Sequence, residues 1–190
     1  MRSGWPESYV HALGFRRPYG SNIEHAAEIA SAAAELQDRT GVERIAVVAH
    51  SMGGLAVRAF LAEDGAAAVE TVVFVATPHK GTWLAWLGWG DGAREMRPGN
   101  PFLRGLGPVP PGVRAVCIRT PAEFRVVPGS SARLDGIECL TVRAPTHPRM
   151  MHHRGTLELI RTVLHGSDEQ AREEGTGGML RSQPPRAALY

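Results

Sequence analysis

The chain has 190 residues, of which 43% are hydrophobic and 21% charged, which is enough for one domain with a proper core but not for two. The formal net charge of +2 is too small to indicate nucleic-acid binding, and no basic cluster with interleaved aromatic residues accompanies it. No run of about 20 apolar residues predicts a transmembrane span, and residues 1–6 lack the apolar stretch of a signal peptide.

The N-terminal region predicts one long helix preceded by short elements. Residues 6–13 favour a short helix, and an extended piece and a turn follow it. Ser21 and Glu24 form a capping-box pattern at the start of a helix over 22–39, and Gly41 is the residue type that commonly ends a helix. The apolar residues of this helix recur on one face, which we therefore expect to be buried.

Strands and helices alternate along the rest of the chain, which predicts a parallel sheet covered by helices on both faces. The predicted elements are strands over 43–49, 70–76, 113–119 and 137–142, and helices over 52–63 and 155–164. Residues 82–112 are rich in Gly and Pro and are typical of a loop. From 166 onward the chain turns polar, so we expect a single domain over 1–165 and a disordered tail over 166–190.

Ser51 lies at the junction between the first clear strand and the helix after it. The run over 45–49 is apolar and largely β-branched or small, which suits a strand buried on both faces. Two small residues, Ala49 and Gly53, stand two before and two after the serine, as the tight turn of a nucleophile elbow requires. The Met52 N–H, at the start of the helix, would then face a developing oxyanion. The alternative is that Ser51 is only an N-cap.

Further motifs occur in an order that is typical of one family. Together with the elbow they are Ala49-His50-Ser51-Met52-Gly53-Gly54, Thr77-Pro78-His79-Lys80-Gly81-Thr82, the stretch from Met96 to Leu103, Val126-Val127-Pro128, the stretch from Ala132 to Gly136, and His147. On this ordered set, the chain from Gly41 to Leu164 resembles the bacterial lipase class 2 family of α/β-hydrolases, which includes Bacillus-type and actinobacterial triacylglycerol lipases. The resemblance implies a carboxyl-ester hydrolase that acts through an acyl-serine intermediate.

The base of such an enzyme should lie in the loop after the last strand, because α/β-hydrolases supply their triad in the order Ser, Asp or Glu, His. His147 stands in that loop. His152 and His153 are alternative candidates for the base, although their position just before the last helix also suits a surface role. A zinc site built from these histidines stays open as a weaker alternative, since no pair of them has a recognised ligand spacing.

The acid should come just after the strand over 113–119. Glu123 is the only carboxylate at that strand's end, and we expect it to orient the imidazole of His147. Asp135 lies too close to the next strand and, with Gly136 after it, is typical of a turn. The alternative for Glu123 is a solvated surface glutamate.

Two features depart from the family pattern. The family's acid commonly stands four residues before the proline of the Val-Pro pair, a position that Phe124 occupies here. Because side chains alternate along an extended segment, the shift to Glu123 would aim its carboxylate away from the base unless a bend restores it. The family also has an early strand whose His-Gly loop supplies a second oxyanion N–H, and no such pattern precedes Ser51. We therefore expect the chain to lack the first strand and its oxyanion loop.

The resemblance implies no cofactor and a small-molecule or lipid ester as substrate, and we expect a monomer without nucleic-acid partners. Members of the family are mostly exported, whereas this sequence shows no export signal. We therefore expect a cytoplasmic location if Met1 is the natural start. Cys117 and Cys139 fall in separate predicted strands and favour small buried thiols over a disulfide. The Trp-rich segment 83–89 would line an acyl pocket or cover it, or would pack as a core loop.

Other functions stay open on the same scaffold. An acyltransferase or thioesterase would use the same serine with a different acceptor or leaving group. A catalytically impaired remnant would be consistent with Phe124 and with the missing front of the sheet. A metal-dependent hydrolase that uses the histidines over 147–153 is a more distant alternative.

Overall fold

The computed structural model describes residues 5–143, 146–174 and 187–190, with the backbone alone over 167–174. Within these residues, six strands form one sheet in the order β1-β6-β2-β3-β4-β5, and every adjacent pair is parallel. The strands are β1 Val10–His11, β2 Ile45–His50, β3 Val69–Val75, β4 Arg114–Arg119, β5 Glu138–Thr141 and β6 Ala188–Leu189. The helices are α1 Asn22–Thr40, α2 Gly53–Ala62, α3 Gly90–Glu95, α4 Pro101–Gly105 and α5 Arg154–Glu174.

Helices cover both faces of the sheet, which confirms the predicted α/β architecture. Alternate residues of β2 pack on opposite sides, because successive side chains of a strand point to opposite faces. Ile45, Val47 and Ala49 belong to a core shared with α1 and α2. Ala46 and Val48 belong to a second core shared with α5. The strand that leads to Ser51 is therefore fixed from both sides.

The C-terminal part of the chain differs from the prediction. Helix α5 continues to Glu174, well past its expected end, and residues 187–190 contribute β6, which lies between β1 and β2. The Ala46 N–H donates to the Ala187 carbonyl at 2.9 Å. The predicted disordered tail is therefore wrong for these two stretches, because helical and sheet hydrogen bonds hold their backbones. The rest of it, residues 175–186, lies outside the described residues.

Strand β1 stands where a short helix is predicted over 6–13. Only Glu7–Tyr9 form a turn of 3₁₀ helix, and the next two residues join the sheet beside β6. The Tyr190 N–H donates to the His11 carbonyl at 3.0 Å. Pairing with a distant part of the chain thus outweighs the local helical preference.

The start of α1 is tied to α3. Ser21 caps the helix as predicted, and its side chain accepts a hydrogen bond from the Ile23 N–H at 3.2 Å. The second half of the predicted capping box is wrong, because Glu95 rather than Glu24 completes the arrangement. The Glu95 carboxylate accepts hydrogen bonds from Ser21 Oγ at 2.6 Å and from the Asn22 N–H at 2.7 Å.

Residues 82–112 are not the continuous loop that their composition predicts. They contain a 3₁₀ helix over Trp83–Trp86 as well as α3 and α4. Asn100 caps α4 by accepting a hydrogen bond from the Phe102 N–H at 2.8 Å, and Pro101 occupies the first turn. Elements of four to six residues are too short to show a helical period in the sequence, which is why they escape prediction.

Both cysteines are free, as predicted. Cys117 and Cys139 are paired in register on the neighbouring strands β4 and β5. Cys117 is fully buried, and burial raises the pKa of its thiol to about 11. Cys117 is therefore an uncharged thiol at neutral pH, whereas Cys139 is only half-buried.

Candidate active site

Ser51 occupies the tight turn between β2 and α2. Its φ is +54°, in the left-handed region that residues other than glycine seldom adopt. The Ser51 N–H donates to the Val75 carbonyl at the end of β3 at 2.8 Å. Since β2 ends at His50 and α2 begins at Gly53, the serine lies at the carboxyl edge of the sheet.

The tightest packing at this turn involves Gly54. A Cβ at Gly54 would lie 2.0 Å from Thr77 Oγ1, which no side chain could tolerate without a shift of the threonine. A Cβ at Gly53 would meet its nearest neighbour, the Phe15 ring, only at 3.9 Å. The small residue predicted at Gly53 is thus under a weaker steric requirement than Gly54, the residue after it.

Met52 is the N-cap residue of α2. The first N–H groups of a helix have no acceptor within that helix, and they lie at the positive end of its dipole. The Met52 N–H follows Ser51 directly in the chain, so it is available to a negative charge that forms beside the serine. Its role as an oxyanion donor stays a prediction.

Glu123 and His147 form a buried hydrogen-bonded pair. The Glu123 carboxylate accepts a hydrogen bond from His147 Nδ1 at 2.8 Å, and the two side chains are 3% and 4% exposed, respectively. Glu123 lies in the loop after β4, and His147 begins the 3₁₀ helix after β5. The structure thus brings together the two residues that the sequence predicts as acid and base.

A local bend compensates for the one-residue departure at Phe124. The second carboxylate oxygen of Glu123 accepts hydrogen bonds from the backbone N–H groups of Arg125 at 2.7 Å and Val126 at 3.1 Å. The chain therefore turns directly after Glu123, and the Phe124 side chain points outward with the residue 51% exposed. Phe124 does not occupy the position of the acid.

The surroundings keep the Glu123 carboxylate charged. Burial alone would raise its pKa, but the hydrogen bonds from His147 and from the two backbone N–H groups outweigh burial and lower the pKa below its usual value. A charged carboxylate on Nδ1 places the proton of a neutral imidazole on that nitrogen. The other ring nitrogen, Nε2, is then free to accept a proton.

Thr82 holds the loop that carries Glu123. Its hydroxyl donates to the Arg125 carbonyl at 2.8 Å and accepts from the Val127 N–H at 2.9 Å. The Trp83 N–H donates to the Val127 carbonyl at 2.9 Å. The segment after β3 therefore fixes the acid loop after β4. Thr82 ends the motif that begins at Thr77, but the sequence pattern alone does not predict this role for its hydroxyl.

His50 also contacts the imidazole of His147. The two ring centroids are 4.7 Å apart and the ring planes are inclined by 40°. Burial lowers the pKa of His50 to about 4, and the positive potential of His147 and Arg125 acts in the same direction, against a hydrogen bond to the His147 backbone and the charge of Glu123. His50 is therefore neutral at pH 7. Since His50 precedes Ser51 in the chain, this contact places His147 beside the elbow.

The residues that the sequence offers as alternatives for the base and the acid lie outside this pair. His152 is exposed and His153 is half-buried, and neither has a hydrogen bond to Glu123. Asp135 is exposed and accepts a hydrogen bond from Lys80 Nζ at 2.9 Å. Across residues 5–143, 146–174 and 187–190, no group of three or more His, Cys, Asp or Glu side chains could hold a metal ion.

Comparison with known proteins identifies the family of this chain. No curated protein matches the sequence. The family model described as "alpha/beta hydrolase fold" matches residues 5–103, which is more than half of the chain. The chain belongs to the α/β-hydrolase fold family. The matched part of this α/β-hydrolase includes β1, α1, β2, the Ser51 turn, α2 and β3.

Solved structures support the same fold at low sequence identity. The lipase BlEst2 of Bacillus licheniformis in its mature form is 16% identical, with a TM-score of 0.56 over 68% of this chain and 69% of that one. The product of gene lin2722 from Listeria innocua is 11% identical, with a TM-score of 0.59 over 93% and 73%. The metagenomic carboxyl esterase MGS0156 is 19% identical, with a TM-score of 0.55 over 83% and 64%.

One further property concerns membranes. Of the helices in the described part of the chain, none combines the length and the apolar character that a membrane crossing needs.

Proposed function

We propose that this α/β-hydrolase is a serine carboxyl-ester hydrolase of the bacterial lipase class 2 type, which acts on lipid or other hydrophobic acyl esters. The observation that carries the proposal is the buried hydrogen bond between Glu123 and His147, set beside a strained serine turn. The lipase BlEst2 and the carboxyl esterase MGS0156, as their names describe them, lend support to this reaction class.

Acylation begins at Ser51. His147 Nε2 takes the hydroxyl proton while the serine Oγ attacks the ester carbonyl carbon. The charge that develops on the carbonyl oxygen faces the Met52 N–H and the start of α2. Glu123 stabilises the imidazolium through Nδ1 and fixes the ring orientation. His147 then returns the proton to the leaving alcohol, and an acyl-serine remains.

Deacylation repeats these steps with water. His147 Nε2 takes a proton from the water molecule, whose oxygen attacks the acyl carbon. The ester bond to Ser51 breaks, and the proton on His147 passes to the serine Oγ. The products are a carboxylic acid and the restored hydroxyl. No cofactor enters this scheme.

Hydrolysis of a soluble chromogenic ester tests the proposal. Ser51→Ala should abolish the activity, and His147→Ala should cost nearly as much, because members of a triad act as a unit. His152→Ala is the matched control and should retain activity, since that side chain is exposed. Parent-level activity in Ser51→Ala protein would contradict the assignment of the nucleophile.

A further inference from the structure

The loop that carries the acid has no regular backbone structure of its own. Residues 120–128 lie between β4 and a short 3₁₀ helix over Gly129–Ala132, and they form neither helix nor strand. A loop of this kind keeps one conformation only where specific contacts hold it. Glu123 must nevertheless reach His147 from a position one residue earlier than the family pattern favours. The contacts that hold this loop therefore decide whether the acid meets the base.

Two side chains hold the bend after Glu123. One is Glu123 itself, whose carboxylate accepts hydrogen bonds from the N–H groups of Arg125 and Val126. The other is Thr82, whose hydroxyl donates to the Arg125 carbonyl at 2.8 Å and accepts from the Val127 N–H at 2.9 Å. Arg125 thus bonds to the acid through its N–H and to Thr82 through its carbonyl. A continuous chain of hydrogen bonds therefore connects Thr82 to the acid.

Thr82 is itself a fixed anchor. The residue is buried, and its N–H donates to the Met96 carbonyl at 2.8 Å. Thr82 also occupies the N-cap position of the 3₁₀ helix over Trp83–Trp86, yet its side chain makes no capping hydrogen bond there. A threonine at an N-cap ordinarily uses its hydroxyl for the helix that it precedes. The Thr82 hydroxyl is used for the acid loop instead.

The Trp-rich segment after Thr82 contributes its backbone to this anchor, but not its large side chains. Those side chains are exposed, namely Trp83, Leu84, Trp86, Leu87 and Trp89. The alternative of a core-packing loop over 83–89 is therefore wrong for them. The contact with the acid loop is made by the Thr82 hydroxyl and by the Trp83 N–H, which donates to the Val127 carbonyl at 2.9 Å.

We propose that Thr82 is a positioning residue for the base His147, because its hydroxyl holds the bend that brings the Glu123 carboxylate to Nδ1. This role rests on the proposed function, since it serves the same serine chemistry. Without the hydroxyl, the Arg125 carbonyl and the Val127 N–H lose a buried partner, and the bend is free to relax. The carboxylate then leaves Nδ1, and the imidazole loses its orientation.

The test compares Thr82→Val with Thr82→Ser. Valine keeps the shape of threonine without its hydroxyl, whereas serine keeps the hydroxyl. Thr82→Val should lower kcat on a soluble chromogenic ester by about 10- to 100-fold, with little change in KM, because the lost contact orients the base instead of binding the substrate. Thr82→Ser should keep most of the parent's kcat. If Thr82→Val does not fold by circular dichroism, Thr82→Ala replaces it, since alanine also lacks the hydroxyl.

A proton NMR signal follows the positioning of the base without any turnover. The Nδ1 proton of His147, bonded to a buried carboxylate, resonates far downfield, and its absence in Glu123→Gln protein identifies it. Thr82→Val should lose or broaden this signal, whereas Thr82→Ser should keep it. The matched control is Thr40→Val, which removes a hydroxyl that donates to the Leu36 carbonyl at 2.5 Å. Thr40 ends α1, before the amino end of β2, so this control should keep the signal and the kcat.

The two measurements together decide the role of Thr82. Loss of kcat and of the signal in Thr82→Val alone would support it. Parent-like values in Thr82→Val would overturn it, and so would equal losses in Thr82→Ser, because packing and not the hydroxyl would then be responsible. A lower kcat with an intact signal would overturn it as well, since acid and base would still meet. A parent that hydrolyses no ester, but whose signal disappears in Thr82→Val, would refute the proposed function alone.

Discussion

Replacing Glu123 with glutamine tests the acid most sharply, because the structure fixes how the new amide must lie. One carboxylate oxygen of Glu123 accepts hydrogen bonds from the N–H groups of Arg125 and Val126, and the other accepts a hydrogen bond from His147 Nδ1. The amide oxygen of glutamine must keep the two backbone bonds, since the reversed orientation would face an NH₂ group against two N–H donors. Each such buried mismatch costs about 1–3 kcal/mol. The NH₂ group therefore points at Nδ1.

An NH₂ group at Nδ1 reverses the tautomer of His147. Nδ1 then accepts, the ring proton moves to Nε2, and His147 can no longer take the proton of Ser51. A wrong tautomer in such a triad lowers turnover by about 10⁴-fold. Stability should change far less, because the backbone hydrogen bonds survive. We therefore expect Glu123→Gln to lower kcat on a chromogenic ester by three to four orders of magnitude, with a small shift in thermal unfolding.

Two companion variants control this experiment. Phe124→Asp should not raise the activity, because that side chain points to solvent, and adding it to Glu123→Gln should not restore turnover. Glu123→Gln protein whose kcat stays within about tenfold of the parent would refute the reasoning. Rescue by Phe124→Asp would show that the acid position belongs to residue 124 after all.

Three further changes follow from the packing and the buried histidines. Gly54→Ala should yield little folded protein by circular dichroism, because its Cβ would strike the Thr77 hydroxyl; normal yield and melting would contradict that contact. Leu189→Asp should lower the free energy of unfolding by about 3 kcal/mol in urea titrations, because it places a charge at a buried site in β6; an unchanged midpoint would show that β6 adds no stability. His50 and His79 are held neutral, mainly by burial, with pKa values lowered to about 4 and about 3. The unfolded chain takes up protons on both below pH 6.5, so stability should fall from there to about pH 3, by up to about 3 kcal/mol for His50. His79→Gln should flatten the acid part of that curve, and an equally steep curve would contradict the assignment.

Local patterns predict much of the fold because they coincide with the tertiary packing. The apolar run that ends at Ala49 and the small residues after Ser51 specify a strand, a turn and a helix within a few residues of one another. The positions of Glu123 and His147 follow from the rule that side chains after parallel strands meet at one edge of the sheet. That they form a hydrogen bond depends on a bend that the sequence does not reveal.

Features that depend on distant parts of the chain are the ones that escape prediction. Strand β6 has only two paired residues, which are too few to show the alternation of apolar and polar side chains that predicts a strand. Its position beside β2 is determined by strand pairing alone. Glu95 binds the start of α1 from a helix of six residues. The contact of His50 with His147 joins the end of β2 to the start of the 3₁₀ helix that begins at His147. In each case the contacting residues are far apart in sequence.

Labelling with a fluorophosphonate probe tests the central claim, that Ser51 is a nucleophile activated by His147, most directly. The serine Oγ would displace fluoride from the probe and leave a covalent phosphonate, which peptide mass spectrometry locates. We expect one adduct, on the peptide that contains Ser51, absent in Ser51→Ala protein and formed far more slowly in His147→Ala protein. Folded parent protein without an adduct, or with its adduct on another residue, would contradict the account.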